Sequence, residues 1–177
     1  MYTLLRIELQ PLATHWYKVN FDGIIFDSVN SAGLGVVIRN CEGLVMSSLS
    51  QLVHLRTMVI EEETLATRRA LELAIEFGFD NLVLEGDSKA SSKSLRVELV
   101  LWAQYGYLAN DIHFLALHFS AFKISYVRSN KVAYSLARRA IISPPVSIWM
   151  EDVLPNVFNI IEEKYSFHKS SASNYHR

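Results

Sequence analysis

The chain has 177 residues and a formal net charge of −1, and half of its residues are hydrophobic while a fifth are charged. This composition predicts one globular domain with a tail, and it excludes a disordered chain and a uniformly basic nucleic-acid binder. The lone Cys41 excludes an intramolecular disulfide and a cysteine-based zinc site, and the lack of any run of 18 apolar residues or of a secretory signal predicts an intracellular protein, nuclear or cytoplasmic, that does not enter a membrane.

The first part of the chain predicts an antiparallel meander. Residues 1–14 are expected to form a leader or linker. Alternating and apolar stretches then predict three strands, at 16–21, 33–39 and 44–49, the last extending towards His54. Asp22-Gly23 is expected to close the first strand, with a polar turn at 27–31, and Asn40 to Gly43 to form the hairpin turn that follows the second.

The second part of the chain predicts alternating helices and strands. Helices are expected at 57–77, 88–98, 105–119 and 130–140, and strands at 81–85 and 122–127. The strand at 81–85 follows a helical crossover and should run parallel to a meander strand. The order β-β-β-α-β-α-α-β-α predicts an α/β domain over residues 15–142, with helices packed on a five-stranded mixed sheet. Residues 143–177 are expected to be a C-terminal tail with a short helix.

Three carboxylates occupy comparable settings in these elements. Asp22 is expected to end a strand, Glu63 to lie in a helix and Asp87 to end another strand. Each has a purely structural interpretation, as a turn former, a complement to the helix dipole and a helix cap, respectively. If the fold brings them together, however, their mutual repulsion requires a positive partner. Divalent cations prefer carboxylate oxygen and would supply it.

The charge is unevenly distributed along the sequence. No Asp or Glu occurs from Ile112 to Met150, although several basic residues do, namely Lys123, Arg128, Lys131, Arg138 and Arg139. This pattern predicts either a local phosphate-binding surface or an ordinary solvated helix face.

Five segments in a fixed order carry a family resemblance. They are Trp16–Gly23, Gly33–Gly43, Glu63–Ala66, Leu84–Lys89 and Asn130–Ala133. Over residues 16–141 the chain resembles the ribonuclease H fold. More narrowly, it is similar to plant ribonuclease-H-like domains related to the reverse transcriptases of non-LTR retrotransposons.

The resemblance implies endonucleolytic cleavage of the RNA strand in an RNA–DNA hybrid, with two Mg²⁺ or Mn²⁺ ions as cofactors. Asp22 would bridge both ions, and Glu63 and Asp87 would complete the first pair of sites. Residues near the last helix would contact the nucleic acid, and those expected to do so are Arg128, Asn130, Lys131, Arg138 and Arg139. A monomer is expected.

The chain departs from the family pattern at two positions. Active members carry a fourth acid in the motif Asn-x-x-Ala-Asp-x-Leu-Ala, where this chain has Tyr134. Tyr126 occupies the expected position of a histidine in the preceding loop. Because a phenol is neutral at pH 7 and a poor ligand for Mg²⁺, the sequence predicts a weak nuclease. The alternatives are an inactive nucleic-acid-binding module and a decayed retrotransposon fragment.

Overall fold

The computed structural model describes residues 12–55, 62–86, 106–127 and 130–151. Its strands are β1 (Trp16–Phe26), β2 (Ser31–Arg39), β3 (Val45–His54), β4 (Asn81–Gly86), β5 (Ala121–Tyr126) and β6 (Val146–Met150). Its α-helices are α1 (Glu62–Glu76), α2 (Gly106–Ala116) and α3 (Lys131–Arg139). The strands form one sheet in the order β5-β4-β1-β2-β3-β6. The helices predicted at 88–98 and in the C-terminal tail lie outside the described residues.

The predicted mixed α/β architecture is confirmed. Strands β1, β2 and β3 form the antiparallel meander, and β4 runs parallel to β1. Strand β5 then runs parallel to β4 at one edge of the sheet. None of the helices in the described part of the chain is long and apolar enough to cross a membrane.

The first strand is longer than predicted. Asp22-Gly23 does not close it, because pairing with β2 continues through Ile24 and Ile25 to Phe26. These three apolar residues suit a strand and delay the reversal. The chain turns instead at the 3₁₀ helix Asp27–Val29 and at Asn30, whose φ of 47° is a left-handed conformation that asparagine tolerates. Asp22 therefore lies within a strand.

The prediction of five strands is wrong, because a sixth strand completes the sheet. Strand β6 pairs antiparallel with β3 at the edge opposite β5. In the sequence, Pro144 and Pro145 end the preceding helical segment and indicate a turn rather than a strand. A proline just before an edge strand costs no ladder donor, however, and the carbonyl of Pro145 accepts the N–H of Leu52 at 2.8 Å.

The sheet has two differently covered faces. The main core lies between the sheet and α1 and α2, and its fully buried members include Val19, Val36, Leu49, Ala70 and Leu71. The other face is covered by α3, whose Val132 and Leu136 pack on Val37 of β2, with Trp149 of β6 against them. Because strand side chains alternate between faces, Asn20 and Asp22 lie on the α3 face.

Candidate active site

Asp22 lies where β1 meets the first turn of α1. Its Oδ1 accepts the N–H of Gly23 at 2.8 Å, and the residue is half-buried. A methyl group at Gly23 would lie 2.5 Å from the carbonyl oxygen of Glu62, so the glycine allows the helix backbone to approach the strand. Glu63 is the next helical residue and is also half-buried. The backbones of β1 and α1 thus approach each other at Gly23 and Glu62, the chain neighbours of the first two predicted acids.

The third predicted acid, Asp87, lies outside the described residues, and its part in the site stays a prediction. The strand that precedes it is described. β4 lies between β1 and β5. Glu85 pairs with Asn20 of β1, and Gly86 pairs with Tyr126 of β5. Tyr126, expected at the histidine position, is therefore at the end of a strand next to β4.

Helix α3 is fixed above β1 and β2 beside Asp22. The buried Asn130, which precedes the helix, donates its side-chain amide to the carbonyl of Phe21. A methyl group at Gly35, the register partner of Asp22, would overlap the carbonyl oxygen of Ala133. Tyr134 follows in the same turn and donates its N–H to the carbonyl of Asn130 at 2.9 Å. The residue that departs from the family pattern is therefore held at the level of Asp22.

Asn130 is buried and connects α3 to β1. It was predicted to contact nucleic acid, but it is only 5% exposed and its amide is directed to β1. Its side chain is therefore part of the connection between α3 and the sheet rather than of the outer surface.

Asn130→Asp is expected to lower the free energy of unfolding by about 2–3 kcal/mol, since a carboxylate cannot donate to the carbonyl of Phe21 and its charge would be buried. Urea denaturation followed by circular dichroism measures this. Asn40→Asp is the matched control, because Asn40 Oδ1 only accepts, from the N–H groups of Glu42 and Leu44, and a carboxylate retains both bonds. Equal stability of the two variants would contradict the assigned role of Asn130.

A buried charged network, which the sequence did not indicate, lies on the same face as Asp22. Asn20 donates to Glu85 Oε2 at 3.0 Å and accepts from Arg39 at 2.8 Å, while Lys18 lies 3.4 Å from Glu85 Oε1. Asn20, Arg39 and Glu85 are each at most 8% exposed. The only sequence signal was a glutamate within an otherwise apolar strand, because such a charge needs a partner when buried. The network joins β1, β2 and β4 next to the candidate site.

Asn20→Leu is expected to cost about 3 kcal/mol of stability, because the buried charges of Arg39 and Glu85 would lose the amide that links them. Asn81→Leu is the control, since its amide donates to the carbonyl of His15 at 3.2 Å in an exposed setting. The midpoint of urea unfolding should fall clearly for Asn20→Leu and little for Asn81→Leu. A similar small change in both would show that the network contributes no net stability.

The described donor set suits a hard cation in its chemistry. Asp22 and Glu63 offer carboxylate oxygen, which Mg²⁺ and Mn²⁺ prefer. Within the ranges that the structure describes, no three His, Cys, Asp or Glu side chains are grouped to hold a metal ion. A metal site formed by Asp22, Glu63 and Asp87 stays a prediction.

The predicted basic residues fall in different settings. Lys131 and Arg138 are exposed on α3, whereas Arg139 is half-buried, and Arg128 lies outside the described residues. Lys123 is exposed on β5, with its ammonium 4.3 Å from the centre of the Trp16 ring. The exposed cations of α3 are thus the described part of the predicted nucleic-acid surface.

A family model described as reverse transcriptase-like matches residues 20–140. The chain belongs to this family. The matched stretch contains Asp22, Glu63 and Tyr134, so it spans the whole described site. A search of curated protein sequences finds no significant match.

Solved structures place this member of the family in the ribonuclease H fold. Ribonuclease H1 from the halophilic archaeon Halobacterium salinarum is 25% identical, with a TM-score of 0.64 over 72% of this chain and 98% of its own. The N-terminal ribonuclease H domain of a Mycobacterium tuberculosis protein is 20% identical, with a TM-score of 0.62 over 73% and 95%. A ribonuclease H1 named LC11, solved in complex with an RNA/DNA hybrid, is 21% identical, with a TM-score of 0.61 over 71% and 96%.

Proposed function

We propose that this domain cleaves the RNA strand of RNA–DNA hybrids endonucleolytically, with Mg²⁺ or Mn²⁺, and at a low rate. The observation that carries the proposal is the close approach of β1 and α1 at Gly23 and Glu62, the chain neighbours of Asp22 and Glu63. The ribonuclease H-like fold supports it, since a structural neighbour was solved with an RNA/DNA hybrid. Descent from a plant non-LTR retrotransposon is part of the same proposal.

Asp22, Glu63 and Asp87 would hold the metal ions. Bound divalent ions supply activation of the attacking water and stabilisation of the leaving 3′ oxygen. The protein's own contribution is to fix its carboxylates before substrate arrives. The Gly23 N–H orients the Asp22 carboxylate, and the close contact of Gly23 with Glu62 sets where α1 begins relative to it. Such preorganisation avoids the cost of arranging charges during the reaction.

The low rate follows from Tyr134. A family member with a carboxylate at this position gains one more negative oxygen donor beside Asp22. The loss of one directly binding charged group costs a few kcal/mol, and each 1.4 kcal/mol of lost transition-state stabilisation slows a reaction tenfold.

A second candidate is a nucleic-acid-binding module that does not cleave. Tyr134 favours it, because the phenol leaves the site short of one ligand while the exposed cations of α3 remain. A decayed retrotransposon fragment would neither cleave nor bind.

Glu63→Gln is expected to abolish cleavage of an end-labelled RNA strand in an RNA–DNA hybrid, measured with Mg²⁺ and with Mn²⁺. Glu62→Gln is the matched control, since Glu62 occupies the adjacent position in the first turn of α1 and should leave cleavage unchanged. Double-stranded RNA and double-stranded DNA should be cut at least about tenfold more slowly than the hybrid. Equal activity of the Glu62 and Glu63 variants would contradict the assigned site, and salt-dependent binding without cleavage would favour the second candidate.

A further inference from the structure

Three side chains form a continuous exposed stripe on α3. Lys131, Tyr134 and Arg138 are three and four residues apart and therefore share one face of the helix. All three are exposed, and the opposite face carries the buried residues Val132, Ala133, Leu136 and Ala137. We refer to Lys131, Tyr134 and Arg138 as the α3 stripe.

The centre of the α3 stripe is an aromatic ring with a cation beside it. The guanidinium carbon of Arg138 lies 6.0 Å from the centre of the Tyr134 ring, within the range of a cation–π attraction. Tyr134 is 46% exposed, so much of its ring is open to solvent. An exposed ring held by a neighbouring guanidinium is a suitable platform for a flat ligand.

The cations of the α3 stripe are not neutralised by described carboxylates. Neither Lys131 nor Arg138 forms an ion pair with another described residue, and no Asp or Glu occurs between 112 and 150. The arginines of α1 differ in this respect. Arg68 pairs with Glu72 and Asp111, and Arg69 pairs with Glu72 and Glu76. The α3 stripe therefore has the charge to attract an anionic ligand.

We propose that the α3 stripe binds single-stranded nucleic acid by stacking an unpaired base on Tyr134, with Lys131 and Arg138 on the flanking phosphates. Every base has a flat π face, and aromatic side chains flanked by cations bind single strands with little sequence preference. The proposal goes beyond the proposed function, because its ligand is a single strand with unpaired bases rather than a base-paired hybrid. At position 134, a side chain that binds a base would thus stand in place of the metal-binding carboxylate of active family members.

The test is fluorescence anisotropy with a labelled single-stranded RNA of 12 nucleotides in EDTA, so that no cleavage occurs. Tyr134→Ala is expected to raise Kd about tenfold, and Tyr134→Phe to leave it within about twofold, because the ring rather than the hydroxyl stacks. Arg138→Gln should lower the slope of log Kd against log salt concentration by about 0.7. Both substituted positions are exposed, and unchanged circular dichroism confirms folding.

Phe114→Ala is the matched control, since Phe114 is an exposed aromatic residue on α2, on the other face of the sheet. Its Kd should equal that of the native chain. The proposal is overturned if Tyr134→Ala binds like the native chain, if Tyr134→Phe loses as much as Tyr134→Ala, or if polyglutamate competes as well as RNA. The binding assay contains no metal and is therefore independent of cleavage. If the chain does not cleave the hybrid but still binds RNA through Tyr134, the proposed function is overturned and the single-strand proposal stands.

Discussion

Replacing Tyr134 with Asp is expected to raise the rate of metal-dependent cleavage of an RNA–DNA hybrid by at least about tenfold. The backbone at this position is fixed beside Asp22 by Asn130 and by the contact of Ala133 with Gly35. An aspartate there would add a carboxylate ligand, which Mg²⁺ prefers to a phenol. The fold should accept the change, since Tyr134 is exposed and an acid in the first turn of a helix is favoured by its dipole.

Tyr134→Asn is the matched control for this gain, because it removes the same ring and has the same size as Asp without its charge. Single-turnover rates over a range of Mg²⁺ and Mn²⁺ concentrations compare the two variants. A gain confined to Tyr134→Asp shows that the rest of the site is competent. Equal rates for the two variants at every metal concentration would contradict the explanation that one missing carboxylate limits the rate of cleavage.

Gly35→Ala is expected to destabilise the domain by at least about 3 kcal/mol, a large fraction of a typical total stability. An added methyl group would overlap the carbonyl oxygen of Ala133 and lie 2.5 Å from the N–H nitrogen of Ala137. Both are backbone atoms, so α3 as a whole would have to move away from β2. Urea unfolding measures the loss, and cleavage should fall with it because α3 positions residue 134.

Gly86→Ala provides the control for that strand substitution. Among the described residues, the nearest atoms to its methyl group are those at the end of the Phe21 ring, the closest at 3.0 Å, and a side chain adjusts more easily than a helix backbone. The expected cost is about 1 kcal/mol. Similar losses for the two alanine variants would show that the close approach of α3 to Gly35 is not a special constraint.

Local patterns were sufficient to predict much of the fold. The alternation in β1, the turn at Asn40 and the helical spacing in α1 follow from short stretches of sequence. The parallel pairing of β4 with β1 follows from the general geometry of a helical crossover. The approach of α1 to β1 near Asp22 and Glu63 could be expected only through the family resemblance, since nothing local relates a strand to a helix 41 positions later.

Features that depend on tertiary contacts were not predicted. Strand β6 depends on pairing with β3, whereas the two prolines that precede it indicated a turn. The buried network of Asn20, Arg39 and Glu85 joins three strands, and only Glu85 is unusual in its own segment. The interior position of Asn130 depends on the carbonyl of Phe21, which is remote in sequence.

The most direct test of the proposed function is the rate at which the native chain and Asp22→Asn cleave a labelled RNA–DNA hybrid at saturating Mn²⁺. Asparagine keeps an oxygen to accept the Gly23 N–H, so the fold should persist while the negative charge is lost. Asp27→Asn, an exposed acid just beyond β1, is the control. We expect slow cleavage by the native chain and by Asp27→Asn, and none by Asp22→Asn. Native cleavage no faster than that of Asp22→Asn would contradict a metal-dependent nuclease at this site.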